Sequence, residues 1–455
     1  MEMTGRTHQI DQGKLAKLRR REDADFLRRI PKSSALLARA QQHMPSGVPM
    51  AWMAGLHRTP AIFIAGGAGP AFTDIDGNRY LDFNVCDLAM TMGYGQEAIA
   101  EAAAVQMRRG AHYLLPTEDA VIVSEMLAAR VGLPFWQFTL SASGANTEIL
   151  RIARHLTGRQ KVLVFGGHYH GHIDESLVRQ ENGNTVPELL GIPADAAANT
   201  VIVPFNDIGA AEQALQAGDI ALVLTEPVLT NCNLVAPLPG FLDALRRLTQ
   251  AHGALLCLDE AHTFQFAYGG LTGAWKLASD FVVLGKGLGT GVSFALYGMS
   301  AAIADHLVRY RDNDVGPKGL ATGGTTYASA LALAVAKTAL ETVLTPENYS
   351  RVTQLGSRLA DGLDHIFARH ALPWRAFKLG PRSGYCLSPE LPRNGNEAAV
   401  SLDAELIDAR RVYMANRGIW DAVVSAGPQA SFAHNEADID RYLDAADGFI
   451  AELTA

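Results

Sequence analysis

The chain is 455 residues long, 48% hydrophobic and 19% charged, with four cysteines and a formal net charge of −8 at pH 7. Ordinary globular composition at this length fits two or three domains, or one large domain with appendages, and the acidic balance argues against nucleic acid or an anionic membrane as partner. The scattered cysteines form no CxxC pair, no apolar run approaches the roughly 20 residues of a membrane span, and the opening MEMTGRTHQIDQGK lacks a signal peptide's apolar core, so a reducing cytoplasm is expected.

Residues 12–43 read as helical, with Pro31 as a break. The basic run Lys14–Arg21 is followed at once by Glu22, Asp23 and Asp25, which suits a solvated arm better than an anion patch. Ile62-Phe63-Ile64 reads as a strand, and Asp76-Gly77-Asn78 as the turn of a hairpin. Gln96–Arg109 and Thr117–Val131 read as amphipathic helices. Strand and helix then alternate. Apolar runs at Phe135–Leu140, Val162–Phe165, Val201–Val203, Ile220–Leu224, Leu255–Leu258 and Phe281–Leu284 are separated by helical stretches such as Asn146–Thr157, Ile208–Gln216 and Phe241–His252. That alternation predicts an α/β fold, a mainly parallel sheet between helices. Residues 327–370 read as helical, and the remainder as a smaller α+β domain.

Several of the apolar runs end in polar groups. Asp259 closes Leu255–Leu258, and Lys286 follows Phe281–Leu284 after one glycine. In an open parallel sheet, chemistry gathers beyond the carboxyl ends of the strands. A lysine and a carboxylate there could face pyridoxal 5′-phosphate, which needs a lysine for its Schiff base and an acid for its ring nitrogen. Each taken alone also reads as a capping residue or a solvated turn. Ser141–Asn146 runs from a strand into a helix start, either a phosphate seat or a plain cap. Gly167-His168-Tyr169-His170-Gly171-His172 with Asp174 reads either as a metal cluster or as an aromatic placed to stack on a flat ring. Glu226, with Asn231 a few residues on, ends another apolar run. The loop around Lys286 fits neither the GxGxxG nor the GxxxxGK[ST] phosphate pattern.

Taken in order, these features resemble the class III pyridoxal-phosphate-dependent aminotransferases of fold type I, and within them the branch that includes glutamate-1-semialdehyde aminomutase. The resemblance runs from about Met44 to near the carboxyl terminus. It is carried by Asp76-Gly77-Asn78, Leu81-Asp82, Ser143-Gly144, Thr157-Gly158-Arg159, Tyr169-His170-Gly171-His172, Glu226-Pro227, Leu258-Asp259-Glu260, Leu284-Gly285-Lys286 and Gly324-Thr325. It implies a large cofactor domain over residues 76–325, an amino-terminal arm with part of the small domain over 1–75, and the rest of the small domain over 326–455. Lys286 is implied as the Schiff-base lysine and Asp259 as the ring-nitrogen partner. Tyr169 would stack on one ring face, with Ala261 and His262 near the other. The backbone of Ser143, Gly144 and Ala145 would hold the phosphate, and Asn231 would meet the ring hydroxyl. Asn146 and Glu226 complete the implied cofactor set. Thr325 would reach the neighbouring subunit's phosphate, which requires a homodimer with shared sites.

The departures fall on the substrate side. Met53 stands where the aminomutase has its carboxylate-binding arginine, and Ala426 where it has an active-site glutamate. Trp52 beside Met53 suggests an apolar wall, suited to a donor with a hydrophobic substituent. Arg58 and Arg382 are the candidate cations for a keto acid. The expected reaction is amino transfer from an amine or amino acid to a keto acid. The alternatives are an aminomutase or racemase on the same cofactor, a metal-dependent hydrolase using His168, His170 and His172, and a cofactor-binding protein without turnover.

Overall fold

A computed structural model describes residues 10–55, 61–311, 319–423 and 427–454. The apolar runs become the strands of one seven-stranded sheet: β1 (Phe135–Thr139), β2 (Lys161–Phe165), β3 (Thr200–Val203), β4 (Ile220–Thr225), β5 (Leu255–Asp259), β6 (Phe281–Leu284) and β7 (Ala295–Met299). Their order is β1-β7-β6-β5-β4-β2-β3, with β7 antiparallel to both neighbours and the remaining pairs parallel. Every residue of β4 and β6 is buried. Strands covered on both faces need apolar residues at every position, which is why they read as continuous runs. One buried cluster fills each side of the sheet. Ile149, Leu222 and Val283 lie in one, and Leu163, Val223 and Leu256 in the other.

The chain divides into two compact units, one of residues 97–349 and 392–399, the other of the described parts of 1–96, 350–391 and 400–455. The cofactor unit thus starts and ends later than the expected 76–325. The helix Ala330–Thr342 packs on the helices Glu97–Arg109 and Glu118–Val131, which keeps the chain in this unit to residue 349. The expected hairpin exists, as Ala71–Asp74 paired with Arg79–Asp82, but it belongs wholly to the second unit, where Arg79–Asp82 also pairs with Ile419–Trp420 in a four-stranded sheet.

That second unit also corrects the solvated arm. The helix Gln12–Arg29 packs on Ala404–Asn416, burying Leu15, Leu18 and Phe26, and its buried Glu22 accepts from Asn416 and Arg417. Among the strands of the cofactor unit, β7 and a hairpin of Val178–Glu181 with Asn184–Pro187 were not expected. The hairpin turns on Asn182-Gly183, both at positive φ, as a two-residue turn requires. Among the described residues no helix is long and apolar enough to cross a membrane.

Candidate active site

Three neighbouring strands deliver the site. β4, β5 and β6 lie side by side, with Thr225 paired to Leu258 and Asp259 paired to Val283. Glu226, Asp259 and Lys286 therefore emerge from one edge of the sheet. Lys286 has φ +49, a left-handed conformation that costs a side-chain-bearing residue about 1–2 kcal/mol. Such strain persists where the position of the side chain is worth it.

Asp259 is 3% exposed, yet it stays charged. Its Oδ2 accepts from His170 Nδ1 at 2.9 Å and from Asn146 Nδ2 at 2.9 Å, and its Oδ1 accepts from the Ala261 N–H at 3.1 Å. Burial pushes this carboxyl up, but the His170 ring, the Asn146 amide and the Ala261 N–H together hold it below the usual carboxylate range. Oδ1 takes a single donor among these contacts, so it keeps acceptor capacity for a protonated ring nitrogen.

The helix α1 (Ala142–Thr157) begins four residues earlier than expected, with Ser141 as its cap. The three residues of the expected phosphate seat, Ser143, Gly144 and Ala145, thus lie in its first turn. The Gly144 N–H already donates to Ser141 Oγ at 3.1 Å and the Ala145 N–H to Ser141 O at 3.1 Å, leaving Ser143 as the N–H of the three without a partner among the described residues. The Asn146 amide reaches inward to Asp259 and to His170 O. The Ser143 hydroxyl accepts from the His172 N–H at 2.9 Å, and a methyl group on Gly171 would lie 2.1 Å from that hydroxyl. Gly171, at φ +83, is thus what lets the histidine-rich loop close on the helix start.

The metal reading of that loop fails on geometry. Both His168 ring nitrogens face carbonyls, of Phe165 at 2.7 Å and Ser176 at 3.0 Å. His170 is turned to Asp259, while His172 and Asp174 are exposed. Among the described residues no group of His, Cys, Asp and Glu gathers to hold a metal ion. Tyr169 is 41% exposed, a large aromatic at the surface of this loop. Glu226 is buried, and its Oε2 accepts both the N–H and the hydroxyl of Thr230. That hydroxyl also lies 2.7 Å from His262 Nδ1. Asn231 lines a cavity of about 410 Å³ with His168, Arg179 and Asn394. Thr325 is exposed on a loop fastened by Glu148, which accepts from the Gly323 N–H at 2.7 Å and from the Tyr297 hydroxyl at 2.9 Å.

His170 and Thr230, which hold Asp259 and Glu226, were not among the site residues read from sequence. His170 stood there only as a metal candidate, and nothing local marks Thr230. The substrate candidates belong to the other unit. Trp52 and Met53 lie exposed on the short helix Ala51–Gly55. Arg382, 1% exposed, is a buried strand residue paired across a bridge with Gln429, not a surface arginine. Arg58 and Ala426 lie outside the described residues.

The family model described as Aminotransferase class-III matches residues 53–404. The chain belongs to this family. It is 34% identical over 442 residues to a glutamate-1-semialdehyde 2,1-aminomutase of Chloroflexus aggregans, covering 93% of this chain and 99% of that one. The fold is that of the class III structures. A crystal structure of a glutamate-1-semialdehyde-aminomutase from Pseudomonas aeruginosa PAO1, in complex with PMP, superposes with a TM-score of 0.93 at 34% identity, covering 98% of this chain and all of that one. An omega-transaminase from Sphaerobacter thermophilus gives 0.84 at 26% identity, covering 93% and 98%. In class III terms the site fits its cofactor: a lysine and an ionised, acceptor-competent aspartate on adjacent strand ends, a helix start, and a partly exposed tyrosine.

Proposed function

We propose that this enzyme is an aminotransferase, moving an amino group from an amine or amino acid with a hydrophobic substituent to a keto acid. Its cofactor is pyridoxal 5′-phosphate. When bound, the cofactor supplies an electron sink that makes the proton on the amine-bearing carbon removable. Lys286 is the base that takes that proton and returns it to the other carbon. Asp259, kept ionised by His170 and Asn146, presents a negative charge to the ring nitrogen. Ser143, at the start of a 16-residue helix, offers an N–H and the positive dipole end to the phosphate.

The observation that carries amino transfer over isomerisation is Met53. An aminomutase must grip one carboxylated substrate through both half-reactions, and a thioether cannot pair with a carboxylate. The aminomutase reading stays as the alternative because relatives of that name match the chain at 34% identity over nearly its whole length. The two part on acceptor dependence. Given a single amino compound and no keto acid, the enzyme should stop after about one equivalent, with the aminated cofactor accumulating, and glutamate-1-semialdehyde should be a poor substrate. Sustained isomerisation without acceptor would establish the aminomutase instead.

The holoenzyme is expected to be a homodimer in which Thr325 serves the partner's phosphate, so cofactor affinity and dimerisation are linked. Thr325→Ala should weaken pyridoxal phosphate binding about tenfold, the scale of one hydrogen bond to a charged group. A holoenzyme that sediments as a monomer would contradict the shared site.

A further inference from the structure

We propose that Glu226, Thr230 and His262 form a proton relay at the sheet edge that carries Asp259. The relay deepens the reading of that site given above. Glu226 follows the end of β4, and His262 stands three residues beyond Asp259 at the end of the adjacent strand. Thr230 lies between them, its hydroxyl touching Glu226 Oε2 and sitting 2.7 Å from His262 Nδ1, while its N–H holds the same Oε2 at 3.1 Å. The three residues are 3%, 1% and 6% exposed.

A hydroxyl carries one proton, so Glu226 Oε2 and His262 Nδ1 cannot both accept from it. When Glu226 is ionised, Thr230 donates to Oε2. Its oxygen must then accept, and His262 carries its proton on Nδ1. When Glu226 is protonated on Oε2, it donates to Thr230, and Thr230 donates to Nδ1. His262 must then carry its proton on Nε2. The charge state of a carboxylate at one end therefore sets the tautomer of the imidazole at the other.

Proton uptake balances as follows. An N–H bond forms at His262 Nε2, and the Nδ1–H bond breaks as its proton passes to Thr230 Oγ1. The Thr230 proton passes to Glu226 Oε2. One proton enters, the carboxylate becomes neutral, the imidazole stays neutral, and no oxidant or reductant is involved. Nε2 changes from acceptor to donor.

The surroundings keep this exchange within working range. Burial pushes the Glu226 carboxyl up to about 7, opposed by His170, Thr230 and the Tyr169 N–H and assisted by the Asp259 charge. Asp259 is itself held ionised by His170 and Asn146, so the titrating carboxylate of the pair is Glu226. The resemblance gives His262 only a place near a ring face; the hydrogen bonds give it a proton to hold or release.

The test uses the cofactor-free protein with ¹⁵N-labelled histidine, followed by NMR from about pH 5 to about pH 9. The His262 signal is assigned by its absence in His262→Gln. The wild type should show the Nδ1–H tautomer at high pH and the Nε2–H tautomer at low pH, with a midpoint near Glu226's. Glu226→Gln, which keeps the shape of the side chain, should fix one tautomer across the range, and Thr230→Val should uncouple His262 from Glu226. In the holoenzyme, Glu226→Gln should also abolish or shift by about one pH unit a step in the cofactor's absorbance titration. Protonation of His262 on both nitrogens without tautomer exchange, or an unchanged titration in Glu226→Gln, would overturn the relay. The cofactor-free measurement does not depend on amino transfer, so the relay and the function can fail separately.

Discussion

Lys286→Ala should lose the covalent cofactor link: after hydride reduction and denaturation, pyridoxal phosphate stays on the wild-type chain and washes off the variant. The argument is positional. Lys286 lies two residues beyond a fully buried strand, next to the strand that ends in Asp259. Its backbone holds φ +49, which a glycine would adopt at less cost. The variant should also lose turnover by more than the 10²–10⁴ expected for removing a general base, because the same amine carries the covalent attachment. Reduction that still fixes the cofactor, through another lysine, would sink the assignment.

Asp259→Asn should fold, bind the cofactor and turn over more slowly by about 10²-fold or more, the usual size of an electrostatic and proton-transfer contribution. The amide oxygen can still accept from His170 and Asn146, but the amide nitrogen then faces the Ala261 N–H, donor against donor. One mispaired buried group costs about 1–3 kcal/mol, so a lower melting temperature should accompany the slower rate. The pH dependence has a definite sign. The Asp259 carboxyl is held below its ordinary value in the folded state, so its stabilising contribution is present above the unfolded value and fades as pH falls through the depressed one. The wild type should lose this stability only in acid, and the variant should lack that dependence. Near-normal turnover in Asp259→Asn would remove the aspartate from the mechanism.

Much of the cofactor unit was legible because buried parallel strands need unbroken apolar runs. Phe281–Leu284 and the helix Phe241–His252 stand where the pattern places them. Ala295–Met299 escaped because glycines precede it and its pairing is set by two strands distant in sequence. The hairpin at Asn182-Gly183 escaped for the opposite reason: its turn signal is plain, but Val178–Glu181 and Asn184–Pro187 are too polar to read as strands. In the site, Asp259 and Lys286 were visible as polar residues at strand ends. The donors that keep Asp259 charged were not, since His170 and Asn146 lie 89 and 113 residues away along the chain. Their local surroundings suggested a metal and a phosphate, and only the folded geometry turns both toward one carboxylate.

The contact between Ser143 and Gly171 bears on how this site can change over generations. The hydroxyl fills the space that any side chain at position 171 would need, and it also anchors the next residue's backbone. The two positions are therefore a single unit of variation. A side chain at position 171 needs both a smaller residue at 143 and a different backbone, because φ +83 strains any residue but glycine.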